Sequence, residues 1–433
     1  MYDWANSAYI TTFGAIIAVF FAATIVPEEG FAGQSGETLW AGVVGFGSLI
    51  LFLAMPILGT VADYAAAKRR FLRNFAVLGA ITTLVLPLVP DGAVGAFLFV
   101  ALISQIGFVA ANVFYDGFLP IITTDDTIDQ VSSKGFAYGY IGGGLYLVLA
   151  FVLIFLSDNG ALGLSLSDAS RISIAGAGVW WLLFSVITLR RLPDEGDPQP
   201  LPAVHANKSR LVAYTRIGFG ATWETTKKLL EFRALLLFVI AYFLYSNGIN
   251  TVIAVTGAYA VDTLELGTTE IVITFLIVQF VAFGGALFFG WLSAKIGTKL
   301  AIVISLVIWI GVTIAGYLLP VGQATPLYAL GAVVGLVLGG SQALSRSLYG
   351  SMIPEESSAE FFGFFTVFSK ASAVAGTTVF AIVSSVTGSG RPAILSVVGF
   401  FIVGLILLTR VNVEEGRASR DDWATSSAGS AES

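Results

Sequence analysis

Twelve blocks of about twenty apolar residues, separated by short charged turns, leave this chain of 433 residues few ways to fold. They lie near residues 4–26, 40–62, 71–90, 93–116, 136–157, 172–190, 234–261, 270–293, 299–319, 326–348, 361–386 and 392–409. An α-helix rises about 1.5 Å per residue, so a block of this length spans the roughly 30 Å of hydrocarbon in a bilayer. Backbone N–H and C=O groups facing lipid must be satisfied internally, which leaves helices or a closed β-barrel. Runs such as Ala301 to Leu319 lack the alternation of a barrel strand, so the expected fold is an all-α membrane protein of twelve transmembrane helices. A mean hydropathy of +0.86 with only 12% charged residues excludes an ordinary soluble domain. The first block has neither a basic leader nor a small-residue cleavage pattern and reads as a retained helix.

Basic residues set the expected orientation. With the N-terminus inside, 19 of the 22 Lys and Arg fall on the cytoplasmic side, Arg171 and Arg391 fall outside, and Lys370 lies within a helix. Both termini are therefore expected in the cytoplasm of a multi-pass protein of the cell (inner) membrane. Zero cysteines exclude disulfides and thiolate chemistry, and the single histidine, His205, sits in a loop. No metal-ligand cluster, no nucleophile with a base partner and no nucleotide-binding glycine loop after a strand is present, so no enzyme activity, metal, cofactor or nucleic-acid partner is expected.

The chain divides six and six. Residues 1–190 form one expected helical bundle and 233–410 the other, joined by a linker at 191–232 that opens with Arg191-Leu-Pro-Asp-Glu-Gly-Asp-Pro-Gln-Pro. The stretch from Lys208 to Leu230 suits either a helix lying in the membrane interface or a solvated basic loop. Residues 411–433 are Ser-, Ala- and acid-rich and are expected to be a disordered cytoplasmic tail. A weak internal repeat relates the halves. Gly59-Thr-Val-Ala-Asp63 with Lys68, Arg69 and Arg70 follows the second block, and Gly290-Trp-Leu-Ser-Ala-Lys295 follows the eighth, 231 residues later.

These turns resemble the cytoplasmic loop signature of the major facilitator superfamily, with Ala294 standing where the second copy would carry an acid. Four further segments resemble the vacuolar amino-acid effluxer (autophagy-related) branch of that superfamily and its prokaryotic members. They are Tyr2-Asp-Trp-Ala-Asn-Ser-Ala-Tyr9, Asn112 to Pro120, Ala241 to Thr251, and Gly339 to Ser347 followed by Glu360-Phe-Phe-Gly363 and Ser369-Lys370. The branch usually has an acid where Asn247 stands, and residues ahead of the Tyr-Asp-Trp motif. The resemblance implies two pseudo-symmetric six-helix bundles, with the first, fourth, seventh and tenth helices lining a cavity. It implies a secondary transporter of a small polar solute, with amino-acid export as the expectation. A sugar or peptide carrier, or a non-transporting membrane sensor, is the alternative. Partners are then the solute, the bilayer and a coupling proton or cation, with a monomer expected.

Polar residues inside the blocks concentrate on those four helices, where each costs free energy on insertion. Spacings of three, four, seven or eleven place them on single helical faces. The candidate solute-contacting residues are Asn6, Gln105, Asn112, Asn247, Asn250 and Gln342. Helix-to-helix hydrogen bonding without transport is the alternative for each. Asp116 and Arg346 lie at nearly equivalent depths in opposite halves and carry opposite charge, which suits a gate. Lipid snorkelling by Arg346 and helix capping by Asp116 would also account for them. Lys370 is too deep for easy snorkelling and should meet a carboxylate in the cavity or pair with Asp3. Gly59, Asp63, Lys68, Arg69, Gly290 and Lys295 are the expected conformational-loop residues.

Overall fold

The computed structural model describes residues 1–198 and 232–431 and, between them, 214, 216, 218–220, 222–223 and 225–227. Side chains at 268, 367, 370–374 and 424–431 fall outside that description. The expected interfacial helix at 208–230 and His205 therefore lie wholly or largely beyond the described residues.

Among the described residues every long element is a helix: α1 (Tyr2–Ile25), α2 (Gly36–Tyr64), α3 (Lys68–Leu88), α4 (Val94–Asp116), α5 (Ile128–Asp158), α6 (Leu166–Arg191), α7 (Arg233–Asp262), α8 (Thr268–Ile296), α9 (Thr298–Leu318), α10 (Ala324–Gly350), α11 (Ser358–Thr387) and α12 (Gly390–Arg410). Among the described residues, eleven are long and apolar enough to cross a membrane, and α11 contributes the shorter apolar stretch Ala375–Thr387. The only extended pairing among these residues is an isolated bridge between Phe31 and Gln34. The fold is thus all-α, as the hydrocarbon-length blocks require.

Residues Val413–Ala431 form a helix, α13, where disorder was expected. Low hydrophobicity suggested that the segment could bury little, yet a few contacts hold it. Trp423 is 7% exposed between Phe232 and Phe361, with ring centroids 5.4 Å from each. Arg420 donates to Asp125 at 2.9 Å and to the carbonyl of Ser351 at 3.1 Å.

The chain packs as two compact units that do not follow the sequence halves. The first comprises residues 1–55, 66–115 and 138–198; the second comprises 56–65, 116–137 and 199–433. The second unit thus takes in the end of α2 and the beginning of α5 with the loop before it.

In the first unit, α1 lies on α6 through aromatic rings. Trp4 stacks on Trp180 at 5.4 Å, Tyr9 meets Trp181 at 5.1 Å, and the Trp180 indole N–H donates to the Trp4 carbonyl at 3.1 Å. Two π-helical stretches, Phe13–Ile17 and Phe21–Ile25, widen α1. Helices α3 and α4 approach backbone to backbone at Gly79 and Gly107, where a Cβ on Gly107 would stand 2.6 Å from the Gly79 Cα. Small residues permit such contact where lipid offers no hydrophobic drive to associate.

In the second unit, α8 and α10 make the closest pairing. Gly335 and Gly339 bring α10 onto the carbonyls of Val278 and Ala282, and a Cβ at these glycines would sit 2.6 and 2.3 Å from those oxygens. Gly285 does the same from α8 against Leu336. Gly248 of α7 and Gly404 of α12 seat Phe401 and Tyr245 in turn.

Candidate functional site

The polar residues of the cavity-type helices divide between the two units. In the first, Asn6 of α1 donates its side-chain amide to the Asn112 side-chain oxygen of α4 at 2.7 Å, joining two expected site residues. One helical turn away, the Tyr115 hydroxyl donates to Asp3 at 2.7 Å. Gln105 is engaged differently, since its amide donates to the Val44 carbonyl of α2 at 3.1 Å while its own carbonyl, buried against Gly47, has no hydrogen-bond partner among the described residues.

In the second unit, Asn247 of α7 is fully buried and faces α11, where a Cβ on Gly376 would lie 2.0 Å from its side-chain oxygen. Its amide nitrogen lacks a partner among the described residues. Asn250 and Gln342 are half-buried. The side chain of Lys370 lies outside the described residues.

Asp116 and Arg346 are brought together, with a guanidinium nitrogen 2.9 Å from a carboxylate oxygen and side-chain exposures of 17% and 6%. The guanidinium also donates to the Ser132 hydroxyl at 3.0 Å and the Ser132 carbonyl at 3.1 Å, and it lies 4.4 Å above the Phe136 ring. Arg346 thus meets a carboxylate, a hydroxyl, a carbonyl and an aromatic face, the surroundings a desolvated guanidinium requires.

Two junctions related by the repeat flank this pair. At the first, Gly59 of α2 lies against the opening turn of α11, where a Cβ would stand 2.5 Å from the Ala359 carbonyl. Asp63 accepts the N–H groups of Ala359 at 3.2 Å and Glu360 at 2.8 Å, capping the positive end of that helix. At the second junction, 231 residues on from Gly59, Gly290 of α8 lies against Ser133 of α5. There Asp129 accepts hydroxyls from Ser347 at 2.5 Å and Thr298 at 2.6 Å.

Sequence reasoning gave no role to Asp129, Ser132 or Glu360. Glu360 is 3% exposed, and its carboxyl is pushed up to about 8 from an ordinary 4.5. Burial is the main cause, the neighbouring Asp63 adds to it, and the hydroxyls of Thr225 and Thr60 partly oppose it. The 231-residue offset pairs Glu360 with Asp129, a signal present in the sequence once the repeat is aligned. In the first unit, Lys68 and Arg69 open α3, and their N–H groups are held by the Glu195 carboxylate at 2.8 and 2.7 Å. Lys295 lies exposed in the last turn of α8.

Comparison with solved structures places this architecture in the major facilitator fold. The proton:xylose symporter XylE bound to 6-bromo-6-deoxy-D-glucose has a TM-score of 0.72 at 16% identity, covering 96% of each chain. The major facilitator transporter FucP in its outward conformation gives 0.69 at 15% identity, covering 95% of this chain and 96% of that one. Residues 43–421 match the family described as vacuole effluxer Atg22 like, and the chain belongs to that family of major facilitator transporters. Among its relatives are the uncharacterized MFS-type transporter YxiO of Bacillus subtilis, 30% identical over 96% of this chain and 94% of the relative. Autophagy-related protein 22 of Botryotinia fuckeliana is 28% identical over 66% of this chain and half of its own length.

Proposed function

We propose that the chain is a secondary transporter that exports a small polar solute, an amino acid by preference, through alternating access. The observation that carries this reading is the desolvated Asp116–Arg346 pair with its collar at Ser132. It ties the end of α4 to the inner part of α10, helices from opposite sequence halves. Two flanking junctions, each built on a repeat-related glycine, tie the end of α2 to α11 and the start of α5 to α8. Contacts of this kind form or break as a set, which is what a carrier needs at the side it closes. On the basic-residue distribution, that side is the cytoplasmic face of the cell membrane, with both termini inside and the working unit a monomer.

Solute recognition is assigned to Asn6, Asn112, Asn250, Gln342 and Asn247, with Gln105 holding α4 to α2. Amides that both donate and accept suit a zwitterion or a hydroxylated solute equally. The resemblance to the amino-acid effluxer branch favours amino acids, whereas the sugars named for two structural neighbours would point to sugars. Purified protein in proteoliposomes, screened against amino acids, sugars and short peptides, tests the reading. Counterflow of at least one amino acid is expected, with Asn250→Ala and Gln342→Ala raising its half-saturation concentration about ten-fold, the scale of one lost hydrogen bond of about 1.4 kcal/mol. Sugar counterflow alone would install the sugar carrier instead, and no flux of any class would reject transport by this mechanism.

A further inference from the structure

The two repeat-related junctions differ in one chemical respect. At the Gly290 junction one carboxylate, Asp129, meets two hydroxyl donors, because Ala294 stands where the first copy has Asp63. At the Gly59 junction two carboxyls meet, since Asp63 and Glu360 share the opening turn of α11. Glu360 is 97% buried by its 3% exposure, and one of its oxygens has no hydrogen-bond partner among the described residues. The partial positive charge of one helix end is about half a unit, enough to favour one anion and not two in a dry contact.

We propose that Glu360 is a proton-binding site, occupied when the end of α2 is docked on α11 and emptied when that junction opens, so that docking takes up one proton. The proposal rests on the alternating-access reading and names its coupling ion and carrier. The titratable groups facing Glu360 are Asp63 from α2 and Tyr349 from α10, whose hydroxyl donates to the Phe361 carbonyl at 2.7 Å. Thr60 and Thr225 offer hydroxyls. Other charged groups on nearby described segments include Glu355 and Glu356 just ahead of α11, Asp116, Lys227 and Arg420. Asp116 precedes Gly117, which abuts Ala359; Lys227 lies over Trp223; and Arg420 is held by Asp125.

The sign follows from linkage. An acid whose value is higher docked than open binds more protons docked, so docking is favoured fully below the open-state value near 4.5. That preference is lost progressively as pH rises toward about 8. Within the window, the docked-to-open ratio falls at most about ten-fold per pH unit.

A single cysteine in this cysteine-free chain gives the readout. Ser133→Cys lies at a position 1% exposed and packed on Gly290, so a small thiol reagent reaches it only when the docked set opens. Labelling of the full chain in lipid nanodiscs is measured from pH 5 to 9, each rate divided by that of unfolded protein at the same pH. With Glu360 present, the ratio should rise several-fold per pH unit and level off near pH 8. Glu360→Gln should label slowly at every pH. Asp63→Asn should level off at lower pH, since removing the neighbouring charge lowers the Glu360 value. A native slope in Glu360→Gln overturns the proposal. If that variant does not fold, an unchanged plateau in Asp63→Asn does so. Labelling needs no solute, so failure here is distinguishable from failure of the transport reading.

Discussion

Asp116 and Arg346 show what single residues can and cannot disclose. Opposite charges at matching depths in repeated helices are a sequence-level reason to expect contact, and the structure puts them 2.9 Å apart. Ser132 and Phe136, which complete the surroundings of the guanidinium, carry no such mark, because a serine and a phenylalanine in a helix's first turns are unremarkable until their partner is known. Asp129 was likewise hidden, since an acid in a helix's opening turn ordinarily serves only its own helix. Removing one partner of a desolvated pair leaves the other unpaired, at a cost of about 3–5 kcal/mol. Asp116→Ala and Arg346→Ala should therefore each reduce flux by more than ten-fold at matched expression. Asp116→Arg combined with Arg346→Asp should recover part of the loss, measured as coupling in a double-mutant cycle. Strictly additive losses without recovery would favour lipid snorkelling for Arg346.

Helices were legible because their lengths and hydropathy are imposed by the bilayer, so among the described residues eleven spans meet the requirement by length and composition. Their pairings were less legible. A glycine inside an apolar helix does not by itself disclose whether it is pressed against a neighbour. A Cβ at Gly339 would meet the Ala282 carbonyl at 2.3 Å, whereas one at Gly284 would meet nothing within 4 Å. Opposite outcomes follow. Gly339→Ala should destabilise by about 1–3 kcal/mol through overpacking. Gly284→Ala should be neutral or stabilising by up to about 1 kcal/mol, because alanine is the better helix former. Thermal unfolding of the purified variants in detergent distinguishes the two, and equal shifts would mean that α8 and α10 do not pack through Gly339.

At the scale of the whole molecule, orientation depends on charges that flank the helices rather than on their packing. Arg171 and Arg391 are the two basic residues expected outside, and each is held by carbonyls at the end of a helix, Pro87 and Val89 for one, Tyr317 and Leu319 for the other. Cysteines at Ser35 or Ser389 should react with a membrane-impermeant reagent added to intact cells, and one at Ser209 should not. Labelling at 209 from outside would reverse the orientation. Along α13, Arg420 and Trp423 fit a seat that an acid- and serine-rich composition does not announce. That seat also fixes an order of assembly during synthesis. Asp125, Ser351, Phe232 and Phe361 are all translated before Arg420 and Trp423, so the surface that α13 covers must wait, wet and incomplete, until every membrane helix has been made. A chain shortened after Arg410 would leave Phe232, Phe361 and Asp125 without the Trp423 and Arg420 contacts that cover them.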